Sequence, residues 1–289
     1  MTPPTSRRIT SMIVGGVLLS GLVPASLVVA SASTPATTAS SLPPAGRSNS
    51  AETAEFTARA VAKTVRAGAR ATKSIVIGYS VKKRPIVARL YGSASATRVV
   101  VIIGSMHGSE LAGLKITKRL DAHGAPASTA MWVVPNLNPD GAAKGTRKNA
   151  HGVDLNRNGS YSWRPTASSA DNYPGKKPLS EPETRAYLKF LTAVKPDLVL
   201  IYHQAGNAVD SYQQKNKGLT KGLAKRMKLK VKSFPCSDVC RGTLTGWFNH
   251  TFPGVALTVE LPRPVSTTQA KRYTTAALWA MTYVPDRTA

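Results

Sequence analysis

Apolar residues along this chain gather in short unbroken runs instead of alternating with polar ones. The runs 99–103, 131–135, 197–203 and 255–262 are rich in Val, Ile and Leu and are five to eight residues long. Runs of this length predict strands buried on both faces, the pattern of a parallel sheet. Stretches 110–120, 181–194 and 267–284 space their apolar residues for one face of a helix. Strands alternating with helices predict an α/β sheet covered on both sides. Pro139-Asp-Gly141 and Tyr173-Pro-Gly175 mark loops, and no internal repeat is present.

The N-terminus has a different texture. Arg7 and Arg8 precede an apolar stretch over 12–30 and the small-residue pattern Ala30-Ser-Ala32, the plan of a cleaved export signal. The stretch is also near the length that spans a bilayer. Its Gly and Pro content and the cleavage pattern favour removal, leaving no stable membrane span and a secreted, extracytoplasmic protein associated with the cell wall. Residues 33–50 are rich in Ser, Thr, Ala and Pro, the composition of a spacer. Residues 56–70 carry Arg59, Lys63, Arg66 and Arg70, a basic lead-in. The expected organisation is a signal peptide over 1–32, spacer and lead-in over 33–72, and one folded domain over 73–289. Cys236 and Cys240 predict a disulfide closing a small ring in an oxidising compartment. Metal binding by that pair is the rival reading, without a second pair or nearby His to support it.

Charge sharpens the choice of partners. Lys plus Arg number 39 against 14 Asp plus Glu, a net +25 that becomes +23 once Arg7 and Arg8 leave with the signal. Such a field draws polyanions, and for an exported protein these are anionic cell-wall polymers. No interleaving of basic and aromatic residues marks a specific nucleic-acid site.

Candidate chemistry sits at the ends of the predicted strands. His107-Gly-Ser-Glu110 follows the run 99–103, and a turn joining i and i+3 aims both side chains at one cation. Nitrogen and carboxylate oxygen suit zinc, and two His with one Glu leave the fourth position open. The third ligand must come from few histidines. His203 ends the run 197–203 at the carboxyl edge, where open α/β sheets bind ligands; His151 is the reserve candidate. His123 and His250 lie among polar residues. Glu260, one of only six glutamates, interrupts the run 255–262. A buried carboxylate is costly unless paired or used, so Glu260 is either a general base or half of a structural salt bridge. Between these elements, Arg147, Asp154, Asn156 and Arg157 offer an oxyanion donor, a partner for a ligating His, and a clamp for a terminal carboxylate. Singly, they are ordinary loop residues.

Taken in order, His107-x-x-Glu110, Asn138-Pro-Asp-Gly141, Arg147, Gly152-Val-Asp-Leu-Asn-Arg-Asn158, His203 and Glu260 resemble the zinc carboxypeptidase family. The stretch Ile77-Gly-Tyr-Ser-Val-Lys-Lys-Arg-Pro-Ile86 resembles that family's start. Ser180-Glu-Pro-Glu-Thr184 and Gly242-Thr-Leu-Thr-Gly-Trp247 resemble its bacterial murein-peptide amidase branch. The resemblance implies a single α/β domain with a mixed, largely parallel central sheet flanked by helices. It implies one Zn2+ per chain held by His107, Glu110 and His203, with Glu260 as base and acid. Arg147 becomes the oxyanion stabiliser, Asn156 and Arg157 the carboxylate clamp, and Asp154 the partner of His107. The implied reaction releases the C-terminal residue of a peptide with a free carboxylate, in murein stem peptides at a bond such as γ-D-Glu–diaminopimelate. A general carboxypeptidase on ordinary peptides is the alternative. From another class, a non-catalytic basic wall-binding protein has no need of the ligand set or of Glu260.

Three positions depart from the digestive members of that family. Ser109 stands where they carry an arginine, and Gly159 where they carry an aromatic. Their mobile tyrosine has no counterpart, because no tyrosine lies between Tyr212 and Tyr273. The murein-peptide branch shares that absence, which tilts the expected substrate towards cell-wall peptides.

Overall fold

Eight strands join in one mixed sheet in the computed structural model, which describes residues 70–93, 95–167, 169–212, 214–234 and 241–283. They are β1 (Lys73–Tyr79), β2 (Pro85–Tyr91), β3 (Arg98–Ile103), β4 (Thr129–Val134), β5 (Leu198–Gln204), β6 (Ala208–Asp210), β7 (Lys230–Lys232) and β8 (Val255–Leu261). The spatial order is β1-β2-β4-β3-β5-β8-β6-β7. The four inner strands β4, β3, β5 and β8 run parallel. Both flanks turn antiparallel, β2 against β4 on one side and β6 against β8 on the other. The apolar runs foresaw the parallel centre. The β6–β7 flank escaped that pattern because its strands span three residues each, and every residue of β7 is exposed. Lysines at both ends of β7 suit an outer edge, where charge discourages pairing with another chain.

The helices are α1 (Gly113–His123), α2 (Pro139–Lys144), α3 (Pro182–Val194), α4 (Lys217–Met227), α5 (Leu244–Thr251) and α6 (Thr267–Thr282). Their starts follow from local chemistry. Ser266 accepts from the Gln269 amide, while the Gln269 side chain accepts from the Ser266 amide, a reciprocal cap that opens α6. Asn138 caps α2 and Asn216 caps α4 through their side-chain oxygens. Helix α1 begins three residues later than the pattern predicts, because residues 107–110 are spent on a turn closed by the Glu110 amide on the His107 carbonyl, 3.0 Å.

Alternation along the inner strands splits the core into two layers. Val100, Ile102, Leu198, Leu200, Leu257 and Val259 pack against α1, α4 and α6. Val101, Ile103, Val199, Ile201 and Ala256 pack against α3 and α5. Two glycines allow the close approaches that set the site. A Cβ on Gly113 would lie 1.9 Å from the Gly104 carbonyl oxygen, so only glycine seats α1 against the end of β3. A Cβ on Gly108 would lie 1.9 Å from the Gly141 backbone, which fixes the His107–Glu110 turn against α2. The segment expected to be a signal peptide, most of the expected spacer and lead-in, and Cys236 and Cys240 with their expected disulfide lie outside the described residues. Among the described residues, no helix is long and apolar enough to cross a membrane.

Candidate metal centre

Strand register brings the chemistry to one edge. β5 lies between β3 and β8, and His203 pairs with Glu260 across the β5–β8 ladder. Val199 and Ile201 face α3 and α5, so period two places His203 on that face; Ala256 does the same for Glu260. His107 arrives from the end of β3 through the turn described above, with the Ser105 hydroxyl donating to the His107 carbonyl at 2.9 Å.

His107, Glu110 and His203 meet as a triangle. His107 Nδ1 lies 3.0 Å from Glu110 Oε2, His203 Nδ1 lies 3.0 Å from the same oxygen, and the two Nδ1 atoms are 3.2 Å apart. All three residues are buried, at 1%, 4% and 3% exposure. Among the described residues they are the one group of three placed to hold a metal ion. Zinc–ligand bonds of about 2.0–2.1 Å in tetrahedral array put the ligand atoms roughly 3.3–3.4 Å apart, close to the observed edges. Hydrogen-bonding logic agrees. His107 Nε2 lies 2.9 Å from Asp154 Oδ1, and a carboxylate only accepts, so the proton belongs on Nε2. Neutral His107 then turns a lone pair on Nδ1 towards two other acceptor-bearing atoms. Such convergence in a buried place suits a divalent cation.

The electrostatics point the same way. Burial lowers the His107 pKa, but Asp154 and Glu110 outweigh it and raise the imidazole above its ordinary value. Burial opposes ionisation of Glu110, yet the adjoining His107 and His203 imidazoles hold its carboxyl well below the usual range. Asp154 is also buried; His107, Arg147 and Arg157 keep it ionised far below its ordinary pKa. The pocket is built to receive positive charge.

Among the sequence-predicted neighbours, Arg147, Asp154 and Asn156 join this network by hydrogen bonds. Arg147 Nη1 donates to Glu110 Oε1 at 2.8 Å, and its Nη2 and Nε donate to Asp154 Oδ2 at 2.9 and 3.2 Å. Asp154 therefore bridges His107 to Arg147 and also accepts the Asn156 amide at 2.8 Å. Asn156 Oδ1 accepts the Leu244 amide at 3.0 Å, tying this turn to the start of α5. Arg157 is buried with Nη1 on the Asn156 carbonyl, 2.8 Å; burial and the neighbouring Arg147 charge lower its pKa. Glu260 Oε2 accepts the Gly206 amide at 3.2 Å. Among the described residues no lysine or arginine pairs with Glu260, so the salt-bridge alternative is not what its surroundings offer. His151, the reserve ligand, lies on Glu181 instead, Nδ1 to Oε2 at 2.8 Å.

Two supports escaped the sequence reading. The Gln204 amide donates to Glu110 Oε2 at 3.1 Å, while its side chain accepts from Ala112 and donates to the Pro262 carbonyl. Asp210, at the end of β6, carries a carboxyl raised by burial and by Glu260. Gln204 lies one residue beyond the apolar run 197–203, and β6 is too short to show a period. Because Asp154 fixes the proton and ring orientation of His107, Asp154→Asn is expected to weaken zinc binding about 10–100-fold. Competition with a chelator of known affinity measures it.

Comparison with known proteins gives consistent results. Residues 58–233 match the zinc carboxypeptidase family (peptidase M14). Murein peptide amidase A of Escherichia coli (strain K12) is 33% identical over 115 residues, 36% of this chain and 48% of that protein. The uncharacterized protein YqgT of Bacillus subtilis (strain 168) is 31% identical over 114 residues, 28% of this chain and 30% of that protein. The chain thus spans about half the length, or less, of the curated relatives it matches. Among solved structures, murein-tripeptide amidase MpaA from E. coli O157 superposes with a TM-score of 0.62 at 25% identity, over 76% of this chain and 95% of that one. Carboxypeptidase A from Helicoverpa armigera shares the fold, with a TM-score of 0.60 at 18% identity over 81% and 71% of the two chains.

Proposed function

The chain belongs to the zinc carboxypeptidase family, and from that premise we propose that it is an exported hydrolase releasing the C-terminal residue of murein stem peptides, at a bond such as γ-D-Glu–diaminopimelate. The observation that carries the reading is the buried His107–Glu110–His203 triangle with Glu260 opposite His203 in the ladder. A zinc ion held by His107, Glu110 and His203 would supply Lewis acidity at this edge of the sheet. Glu260 takes the proton from the attacking water and delivers it to the departing nitrogen. Arg147 lends its guanidinium to the oxyanion. Arg157, with the Asn156 side-chain NH2, holds the free carboxylate of the released residue; a buried guanidinium gains from such a bidentate partner.

The preference for wall peptides rests on several supports. The chain is similar to murein peptide amidase A and to MpaA. It lacks a tyrosine between Tyr212 and Tyr273, and its +25 charge favours an anionic wall. Export rests on Arg7, Arg8, the apolar stretch and Ala30-Ser-Ala32. The test is mass spectrometry of products from defined stem peptides and from ordinary peptides of varied C-termini, using zinc-loaded protein. Loss of diaminopimelate from the stem peptide, with ordinary peptides cut far more slowly, is the expected result. Equal cutting of both leaves a general carboxypeptidase, and zinc binding without any cleavage leaves a wall-binding protein.

A further inference from the structure

At the β1 edge of the sheet, the turn between β1 and β2 divides two clefts that meet at His151. One, of about 460 Å³, runs between β1 and the start of α3 and is lined by Lys83, Arg185 and Lys189 together with Tyr79. The other, of about 350 Å³, runs between the turn and α2 and is lined by Lys82, Lys144 and Lys148. Buried carboxylates hold the turn from both sides. Glu183 Oε1 accepts the Val81 amide at 3.1 Å, and Asp140 Oδ2 accepts the Lys82 amide at 2.9 Å. Two consecutive lysines therefore stand one to each cleft on a backbone already fixed in place. Glu181 holds His151 between them, Nδ1 to Oε2 at 2.8 Å. Asp140, the one carboxylate lining either cleft, has a side chain only 1% exposed and is already held by Arg84.

The cations of this joined cleft lack partners of opposite sign. Lys82, Lys83, Lys144 and Lys189 are exposed, and among the described residues no carboxylate pairs with them. Five of the six lining cations are lysines, and the sixth, Arg185, has Nη1 on the Leu179 and Ser180 carbonyls at 2.8 and 2.6 Å. Point charges on flexible stems suit phosphate oxygens, whereas bidentate carboxylate binding needs a free guanidinium fork. Their spread along two joined clefts fits repeated anions on one chain, not a single ion. Tyr79, 53% exposed, offers one ring face to a sugar or polyol but no platform for successive nucleobases. We propose that the joined cleft binds a linear polymer carrying a phosphodiester in each repeat, an anchor on the wall separate from the metal centre. Lys148 adjoins Arg147 in sequence, so one end of the cleft reaches the loop that serves the metal centre. The choice of polymer rests on the reading of the chain as an exported wall enzyme; the binding itself does not.

The test measures binding by the full chain and needs neither zinc nor turnover, so it fails or succeeds apart from the cleavage assay. The probes are poly(glycerol phosphate) and a single-stranded oligothymidylate with the same number of phosphates, each titrated at several salt concentrations. One variant carries Lys82→Gln, Lys83→Gln, Lys144→Gln and Lys189→Gln. Its control carries Lys217→Gln, Lys221→Gln, Lys225→Gln and Lys230→Gln, exposed positions on α4 and on β7, the opposite edge strand. Both lose four charges, and unchanged thermal midpoints verify both folds. The cleft variant is expected to bind poly(glycerol phosphate) at least about 10-fold more weakly than the parent. Its slope of log affinity against log salt is expected to lessen by about 3, because four fewer phosphates are neutralised. The control is expected to stay within about threefold of the parent, since distant exposed charges are screened. The oligothymidylate is expected to bind the parent more weakly than poly(glycerol phosphate). Equal losses in the two variants show that net charge alone does the binding, and overturn the proposal. An oligothymidylate that binds the parent as tightly, with the same loss in the cleft variant, makes the cleft a nucleic-acid surface and overturns it too. So does a parent protein that leaves poly(glycerol phosphate) unbound at low salt, whatever the cleavage assay returns.

Discussion

Glu260→Gln protein is expected to keep one zinc per chain and lose about 10²–10⁴-fold in kcat, with KM little changed. Glutamine is nearly isosteric and still offers an oxygen to the Gly206 amide, so the local fold has no reason to move. What it removes is the proton acceptor. The competing role, half of a structural salt bridge, makes the opposite forecast: lowered stability with turnover intact. Metal analysis, a thermal melt and a kcat on the same sample separate the two. Zinc bound at full stoichiometry with turnover at the parental rate would falsify the assignment of Glu260 as base. Arg147 allows no such clean reading. Its guanidinium already joins Glu110 and Asp154, so its removal disturbs the ligands together with any oxyanion contact.

How far the sequence carried depends on where burial leaves a periodic trace. The inner strands are buried on both faces, so unbroken runs of Val, Ile and Leu announce them, and their carboxyl ends point to His107, His203 and Glu260. The flanking strands leave little trace. β7 buries nothing, and β1 exposes Val76 and Tyr79 at its sheet edge. His203 could be preferred to His151 only through its position after an apolar run, and the structure gives the reason: His151 stands on the Glu181 side of the molecule. Asp154 was legible as a partner because it lies close in sequence to Arg147 and Arg157. Its service to His107, 47 residues away, needed the resemblance to a family. Asp210 and Gln204 were not legible, since their roles arise from strand register and from a loop that turns back on Glu110. Neither leaves a mark in composition or spacing.

Withdrawing zinc is expected to lower both activity and stability, and the second effect discriminates better. Activity falls to background under any scheme that uses the metal, including one where a different site holds it. Stability answers to the site itself. With free zinc at 1,000 times its dissociation constant, binding to the native state alone stabilises the protein by about 4 kcal/mol. For a domain of this size that is on the order of 8–16 °C in thermal midpoint. His203→Ala removes one corner of the triangle, so its midpoint should no longer respond to a chelator, although it starts lower than that of the zinc-loaded parent. The comparison is therefore a difference of differences: the chelator-induced shift in the parent minus that in the variant. Burial of His107, Glu110 and His203 makes the forecast strict, because an exposed cluster can trade a lost ion for water while this one leaves lone pairs 3.0–3.2 Å apart. Refilling with zinc should restore midpoint and turnover together in the parent and neither in His203→Ala. A parent protein whose midpoint ignores the chelator while cleavage continues would remove the metal from this triangle.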